Sequence, residues 1–268
     1  MELRKKLEKA HYNGQARNIN FENYDWRSGS KRFNIALRSP YEFCEKWLTQ
    51  HCKGKKILDY GCGHGIHSIL PAKWGGVVIG VDISIKSIKI AKERAIIEGV
   101  SDYVTFKVGD CESLDFPDNY FDIVFSSGTL SCLDLAKAYF EMARVLKPDG
   151  KALIVDTLGY NPLLNFTRWI RYKLAQRTKQ TIENILRMND IYLALKYFDK
   201  IKKLKFFDFT TLAISPFVKK DNTCMHVIIS FAKKIDDILL KLPFLKYLAF
   251  KVVYVLSQPN KSLLETRC

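Results

Sequence analysis

Residues 57–69 read Ile-Leu-Asp-Tyr-Gly-Cys-Gly-His-Gly-Ile-His-Ser-Ile, and this stretch constrains the chain more than any other. The apolar pair Ile57 and Leu58 delivers an acid, Asp59, at the end of a short strand. Gly61, Gly63 and Gly65 follow at alternate positions, and the chain then turns amphipathic, as a helix does. Glycine admits backbone conformations closed to other residues and brings no Cβ between backbone and ligand. The free N–H groups of such a turn, with a helix N-terminus behind them, suit an anionic group. Asp59 adds an acceptor that can hold a cation. A ligand end carrying both charges fits that pair. The dinucleotide fingerprint Gly-x-Gly-x-x-Gly is not met: the third glycine comes one residue early, and position 66 is Ile.

Around the turn the chain alternates regularly. Strands are expected at 55–60, 77–82, 103–108, 121–126 and 152–157. Helices are expected at 65–73, 84–98 and 133–145. Ser84 is placed to cap the second of these, and Ile85, Ile88, Ala91 and Ala95 mark its apolar face. Lys147-Pro-Asp-Gly150 reads as a turn. Strands alternating with helices at these spacings argue a parallel, doubly wound sheet. Beyond Thr157 the pattern changes. A helix at 191–198, a strand at 205–214, an amphipathic helix within 231–249 and a last strand at 251–257 suggest a closing hairpin with a helical embellishment. In 231–249 the apolar positions are Phe231, Ile235, Ile238, Leu242 and Leu245, while Lys233, Lys234, Asp236, Asp237 and Lys241 lie mostly opposite.

The 268 residues suffice for one large α/β domain, and no uncharged apolar run approaches the roughly 18 residues that span a bilayer. Seven scattered cysteines without Cys-x-x-Cys spacing indicate neither a metal site nor a disulfide framework. With a charged N-terminus lacking a signal-like apolar stretch, they point to the cytoplasm. The net charge of +15 is uneven: residues 57–156 carry −4, and the segments before and after carry +7 and +12. Such flanks fit solvated lysine, or an acidic substrate, an anionic membrane surface or nucleic acid.

Asp59 with the alternating glycines resembles the class I S-adenosylmethionine-dependent methyltransferases, and residues further on extend the likeness. Val77-Val-Ile-Gly-Val-Asp82 ends a strand on an acid 19 residues beyond Gly63, close to where a ribose-binding carboxylate is expected. Val108-Gly-Asp-Cys111 matches the family's segment at the adenine. Phe116–Phe125 resembles the approach to its fourth strand, and Arg144–Gly150 the segment before its fifth. These matches cover roughly 55–157.

The resemblance implies a Rossmann-like seven-stranded sheet, six strands parallel and the last antiparallel, with helices on both faces and a helical C-terminal insertion. It implies S-adenosylmethionine as cofactor, with S-adenosylhomocysteine as product. The cofactor residues it implies are Asp59, Gly61, Cys62, Gly63, Asp82, Ile83, Asp110, Cys111 and Ser126. Residues 1–54 would form an N-terminal lid or helical segment, 55–157 the cofactor-binding core, and 158–268 a substrate-side insertion, closing strands and amphipathic helix of the same domain.

The acceptor side is less legible. Many relatives carry Leu-His-His-Leu after strand four; this chain reads Leu130-Ser-Cys-Leu133. No catalytic residue is assigned, and Cys132 reads as an inert thiol. Tyr24, Trp26, Ser131, Tyr160 and His226 are candidates for the acceptor pocket. The basic residues Arg168, Arg171, Lys173, Arg177 and Lys179 suggest an acidic or phosphate-bearing acceptor. The expected reaction is in-line methyl transfer to an oxygen, nitrogen or carbon of a small molecule, such as a natural-product, lipid or sugar intermediate. Alternatives are a nucleic-acid (RNA) methyltransferase, a peripheral enzyme methylating lipids at the membrane surface, and a binding protein that keeps the cofactor fold without transfer.

Overall fold

A computed structural model describes residues 2–17, 19–174, 178, 183–218 and 223–262. Seven strands form one sheet: β1 (Lys56–Tyr60), β2 (Val77–Asp82), β3 (Val104–Val108), β4 (Phe121–Ser127), β5 (Leu146–Thr157), β6 (Phe198–Phe207) and β7 (Lys251–Pro259). Their order is β3-β2-β1-β4-β5-β7-β6. All neighbours from β3 to β5 run parallel, and β7 lies antiparallel to both β5 and β6. Six strands thus share one direction and β7 opposes them, as the resemblance implies.

The central strands are apolar at consecutive positions because both faces are covered. Leu58, Val124, Ile154 and Val252 join one core cluster, and Ile57, Ile123, Leu153 and Val253 the other. Ala138, Tyr139 and Met142 of α5 (Leu135–Val145) and Ile191 of α7 (Met188–Leu193) cover the first face. There the Tyr139 and Tyr254 hydroxyls meet at 2.8 Å. Trp47 and Leu48 of α2 (Ser39–His51), Ile69 and Ala72 of α3 (Ile69–Lys73), and Ile88 and Ala91 of α4 (Ile85–Ile97) cover the second. Ser84 caps α4 by accepting from Ser87 N–H.

The remaining helices among the described residues are α1 (Leu3–Arg17), α6 (Pro162–Lys173), α8 (Thr210–Ile214) and α9 (Thr223–Leu239). Among the described residues, no helix is long and apolar enough to cross a membrane.

Several elements differ from their sequence reading, each for a local reason. The helix expected from Gly65 begins at Ile69, because Gly65 holds φ +71° and is part of the turn. The expected strand 205–214 is found at 198–207. A bulge between Ile201 and Lys203 breaks the two-residue alternation that would have revealed its first half, and Asp208 at φ +63° ends it. The helix expected at 191–198 is α7, followed by a single 3₁₀ turn before β6.

The amphipathic helix ends at Leu239, four residues before Pro243, whose ring conflicts with a helical carbonyl at that distance. Its orientation also differs from the sequence pattern. Asp236 is buried, and Phe231 and Ile238 are exposed. The cause is polar: the Asp236 carboxylate accepts from the backbone N–H of Phe209 and Thr210 and from the hydroxyls of Thr210 and Thr211, tying α9 to the start of α8.

Behind the glycine turn, Arg94 of α4 is fully buried. It donates to the carbonyls of His64 (2.9 Å), Trp26 (2.5 Å) and Arg27 (3.1 Å) and to the Tyr24 hydroxyl (3.2 Å). It therefore joins α4, the N-terminal segment and the turn in one network. Arg94→Met keeps most of the side-chain volume but leaves several carbonyls without donors, so unfolding in urea is expected to show a loss of about 3 kcal/mol. A loss under about 1 kcal/mol would mean that the network is dispensable.

Candidate active site

At the carboxyl ends of β1, β2 and β4, where the strand order reverses, lies a cavity of about 370 Å³. In sheets of this type ligands bind at that place. Its floor is the glycine turn. Gly61, Gly63 and Gly65 have φ of +74°, +51° and +71°. At Gly61 a Cβ would come within 2.3 Å of the Thr129 side chain, whereas at Gly63 it would meet no atom within 4 Å and would project into open space. The turn is fixed from behind, since Gly61 and Cys62 both donate N–H to the Val81 carbonyl at 2.9 Å.

Asp82, at the end of β2, accepts from Gly63 N–H at 2.9 Å through one carboxylate oxygen and from Ser84 N–H at 2.8 Å through the other. Both oxygens are thereby oriented at the cavity wall, each with a lone pair to spare. Burial pushes the Asp82 carboxyl up, against the pull of those two N–H groups. Asp59 lies deeper and accepts from the Ser68 hydroxyl; burial raises it to about 7, with a further push from Asp82. Two adjacent carboxyls that resist ionisation form a site that a cation or a set of hydroxyl donors would relieve.

Of the residues anticipated for the cofactor, Asp59, Gly61, Cys62, Gly63, Asp82, Ile83, Asp110 and Cys111 all line this cavity. Ser126 does not: it is fully buried in β4, and its neighbours Ser127 and Gly128 face the space instead.

The candidates for the acceptor pocket lie elsewhere. The Tyr24 hydroxyl sits 2.8 Å from His64 Nδ1 and, with the Trp26 carbonyl, serves Arg94, so both residues brace the turn from outside. Ser131 occupies the 3₁₀ turn Leu130–Cys132, but Cys132 is the residue facing inward. The Tyr160 hydroxyl accepts from Met188 N–H, which fixes that ring to the α7 segment. His226 is exposed on α9, which packs through Ile229 against Ile35 and Ala36, away from the cavity. Of the basic residues proposed for the rim, Arg168 is buried and donates to Asn165 Oδ1; Arg177 and Lys179 lie outside the described residues.

The wall that sequence reasoning missed is α1. Arg4, Lys5, Glu8, Tyr12 and Gln15 all line the cavity. Arg4 reaches Glu112 at 2.5 Å and the Cys132 carbonyl at 2.7 Å, and Lys5 reaches Asp110 at 2.6 Å. Further along, Asn13 accepts from the Ser84 hydroxyl at 2.8 Å. The helix is thus pinned at both sides of the opening. It carried no apolar periodicity to reveal it, because its inward face is charged and its leucines, Leu3 and Leu7, are exposed.

Two ring-lined features complete the wall. His67 lies beside Phe33 and Tyr41 with near-parallel rings, and burial lowers it to about 3, so it is neutral. Cys132 Sγ lies 3.2 Å from the Tyr12 hydroxyl, and burial pushes the thiol up to about 12, so it stays protonated and unreactive.

The buried Asp59 carboxyl makes stability depend on pH. Its folded value, about 7, exceeds the ordinary 3.8. Its contribution is therefore fully present below the ordinary value and is lost as pH rises through about 7. Asp59→Asn removes that loss. In urea unfolding of the ligand-free protein, the variant is expected to gain on the parent between pH 4 and pH 8. Parallel pH profiles for the two proteins would refute this.

Comparison with known proteins bears on the same segment. Residues 58–154 match the family model described as a methyltransferase domain. Phosphoethanolamine N-methyltransferase 1 of Arabidopsis thaliana is 40% identical over 141 residues, which are 51% of this chain and 28% of the plant protein. The chain thus spans less than a third of that relative. Methyltransferase GfsG of Streptomyces halstedii is 35% identical over 109 residues, 38% of each chain. The crystal structure of geranyl diphosphate C-methyltransferase from Streptomyces coelicolor A3(2) superposes over 96% of this chain and 98% of its own, with TM-score 0.65 and 15% identity. Residues 58–154 thus match a methyltransferase domain, and the fold of the chain is that of the crystallised methyltransferase.

Proposed function

We propose that this chain binds S-adenosylmethionine in the cavity and transfers its methyl group to an oxygen, nitrogen or carbon of a small molecule, leaving S-adenosylhomocysteine. The observation that carries the reading is the Asp82 carboxylate, which lines the cavity and is held by Gly63 N–H on one oxygen and Ser84 N–H on the other. That is the arrangement a ribose with two adjacent hydroxyls requires. The open space at Gly63, which a Cβ would fill, is consistent with close approach of a ligand to the backbone. In this reading Gly61 and Gly63 meet the amino-acid end, Asp59 offsets its positive charge, Ile83 packs beside the adenine, and Asp110 with Cys111 meets the adenine edge. The division of the chain follows: 55–157 binds the cofactor, 1–54 covers it, and 158–268 closes the sheet on the acceptor side.

When bound, the cofactor supplies a methyl group already activated on a sulfonium. The chain's contribution is then positioning and exclusion of water. Arg4, Lys5 and Tyr12 of α1 provide the cover. Lys251, buried and lining the cavity, supports an acceptor with an anionic group. The names of the plant relative and of the crystallised neighbour both specify phosphorylated small molecules as substrates.

Calorimetry should detect S-adenosylmethionine binding, and Asp82→Ala should weaken it about 100-fold through loss of two hydrogen bonds to a charged group. No binding by the unmodified protein would defeat the proposal.

A second reading concerns where the reaction takes place. The outer face of α9 exposes Val227, Phe231 and Ile238, and Phe244 beyond it is 83% exposed. With the basic charge of the C-terminal segment, this face supports peripheral contact with an anionic membrane from the cytoplasmic side. Co-sedimentation with anionic vesicles is expected for the parent and to fall several-fold for Phe231→Ser/Phe244→Ser. Equal recovery of both proteins with vesicles would reject the membrane reading and leave methyl transfer untouched.

A further inference from the structure

Glu8 lies midway along α1 and is 5% exposed, and its side chain lines the cavity. Its Oε2 is buried and accepts no hydrogen bond from any described residue. A carboxylate oxygen taken out of water without a donor is costly, and folds retain such groups where a ligand satisfies them. The cations beside it are committed elsewhere: Arg4 pairs with Glu112, and Lys5 with Asp110 and Glu112. Glu8 acts electrostatically on Tyr12 and Cys132, which bond to each other at 3.2 Å, and this places it at the end of the cavity beside the Leu130–Cys132 turn.

The cofactor, in the reading above, already has its acids: Asp59, Asp82 and Asp110. Glu8 belongs to a different element from these strand-end acids, the helix that covers the cavity. We propose that Glu8 binds the methyl acceptor, and that the acceptor presents a protonated amine to its Oε2. This rests on the methyltransferase reading and narrows it to an amine. A hydroxyl donor would satisfy the hydrogen bond but leave a buried charge unneutralised, whereas an ammonium does both, and bonds of that kind are about twice as strong as neutral ones. For transfer, one ammonium proton passes to Glu8 Oε2, and the freed nitrogen lone pair then bonds the methyl carbon as its bond to sulfur breaks and S-adenosylhomocysteine leaves. An acceptor whose reacting end carries no N–H would leave Glu8 unsatisfied.

The test uses the full chain saturated with S-adenosylhomocysteine, titrated calorimetrically with three probes. These are phosphoethanolamine, its hydroxyl counterpart 2-hydroxyethyl phosphate, and geranyl diphosphate. Phosphoethanolamine is expected to bind, and the hydroxyl counterpart to bind at least about tenfold more weakly. Glu8→Gln, nearly identical in shape, should weaken phosphoethanolamine by at least about tenfold. Its affinity for S-adenosylhomocysteine should stay within about threefold of the parent, a change under 1 kcal/mol, which also shows that the variant is folded. The proposal is overturned if Glu8→Gln binds phosphoethanolamine as the parent does, or if it loses S-adenosylhomocysteine instead. It is also overturned if the parent binds no amine probe, or prefers the hydroxyl compound or geranyl diphosphate. The comparison of amine with hydroxyl in the parent decides independently of any variant. Failure of the parent to bind S-adenosylhomocysteine is a separate outcome that removes the methyltransferase reading itself.

Discussion

The left-handed backbone at Gly61, Gly63 and Gly65 is the constraint to which the rest of the structure answers. Three such residues in five positions form a loop that no other sequence would adopt cheaply, and it needs restraint from every side. The Val81 carbonyl holds its first two N–H groups, Asp82 holds the third through Gly63, and Arg94 holds the His64 carbonyl. Two of the restraints come from the end of β2 and the third from α4 on the covered face. The restraints also have second roles. Asp82 is the acid at the cavity wall, and Arg94 gathers the N-terminal segment around Tyr24 and Trp26. The geometry of the turn therefore cannot be separated from that of the site.

Electrostatics follows from that placement. The turn brings Asp59 and Asp82 close together under burial, and both carboxyls are raised above their ordinary range. The basic residues that approach the cavity from α1 meet Asp110 and Glu112 and not this inner pair. An overall charge of +15 thus coexists with a pocket whose inner wall is acidic. Net charge describes the surface, and it misdescribes what a ligand meets inside.

The cofactor half was legible because its chemistry is written in local sequence. Strand, acid and glycines are contiguous, and the acid at 82 ends a strand whose apolar run is plain. The parallel strands read as apolar segments because both faces are buried. What was not legible depends on tertiary contact. The first half of β6 is hidden by a bulge and a run of lysines on an edge strand. The orientation of α9 is set by Asp236 capping α8, a polar contact that overrides the helix's apolar stripe. Tyr24 and Trp26 read in sequence as candidates for the acceptor pocket, yet their partner is Arg94, some seventy residues away, and not the cavity.

The acceptor side is obscure in sequence for the same physical cause. Its cover, α1, turns Arg4, Lys5, Glu8 and Tyr12 inward and leaves Leu3 and Leu7 in solvent, inverting the pattern by which buried helix faces are found. A helix so arranged gains little from apolar burial and is held by ion pairs to Glu112 and Asp110 and by the Asn13–Ser84 bond. Those attachments are polar and spaced along its length, so the helix gives up apolar packing for a charged lining. Its inward charges have partners with one exception, the Oε2 of Glu8. In a fold whose cofactor contacts are set by the glycine turn and its strand-end acids, selectivity for the acceptor has to come from residues outside that frame, and α1 is the element that brings them to the cavity.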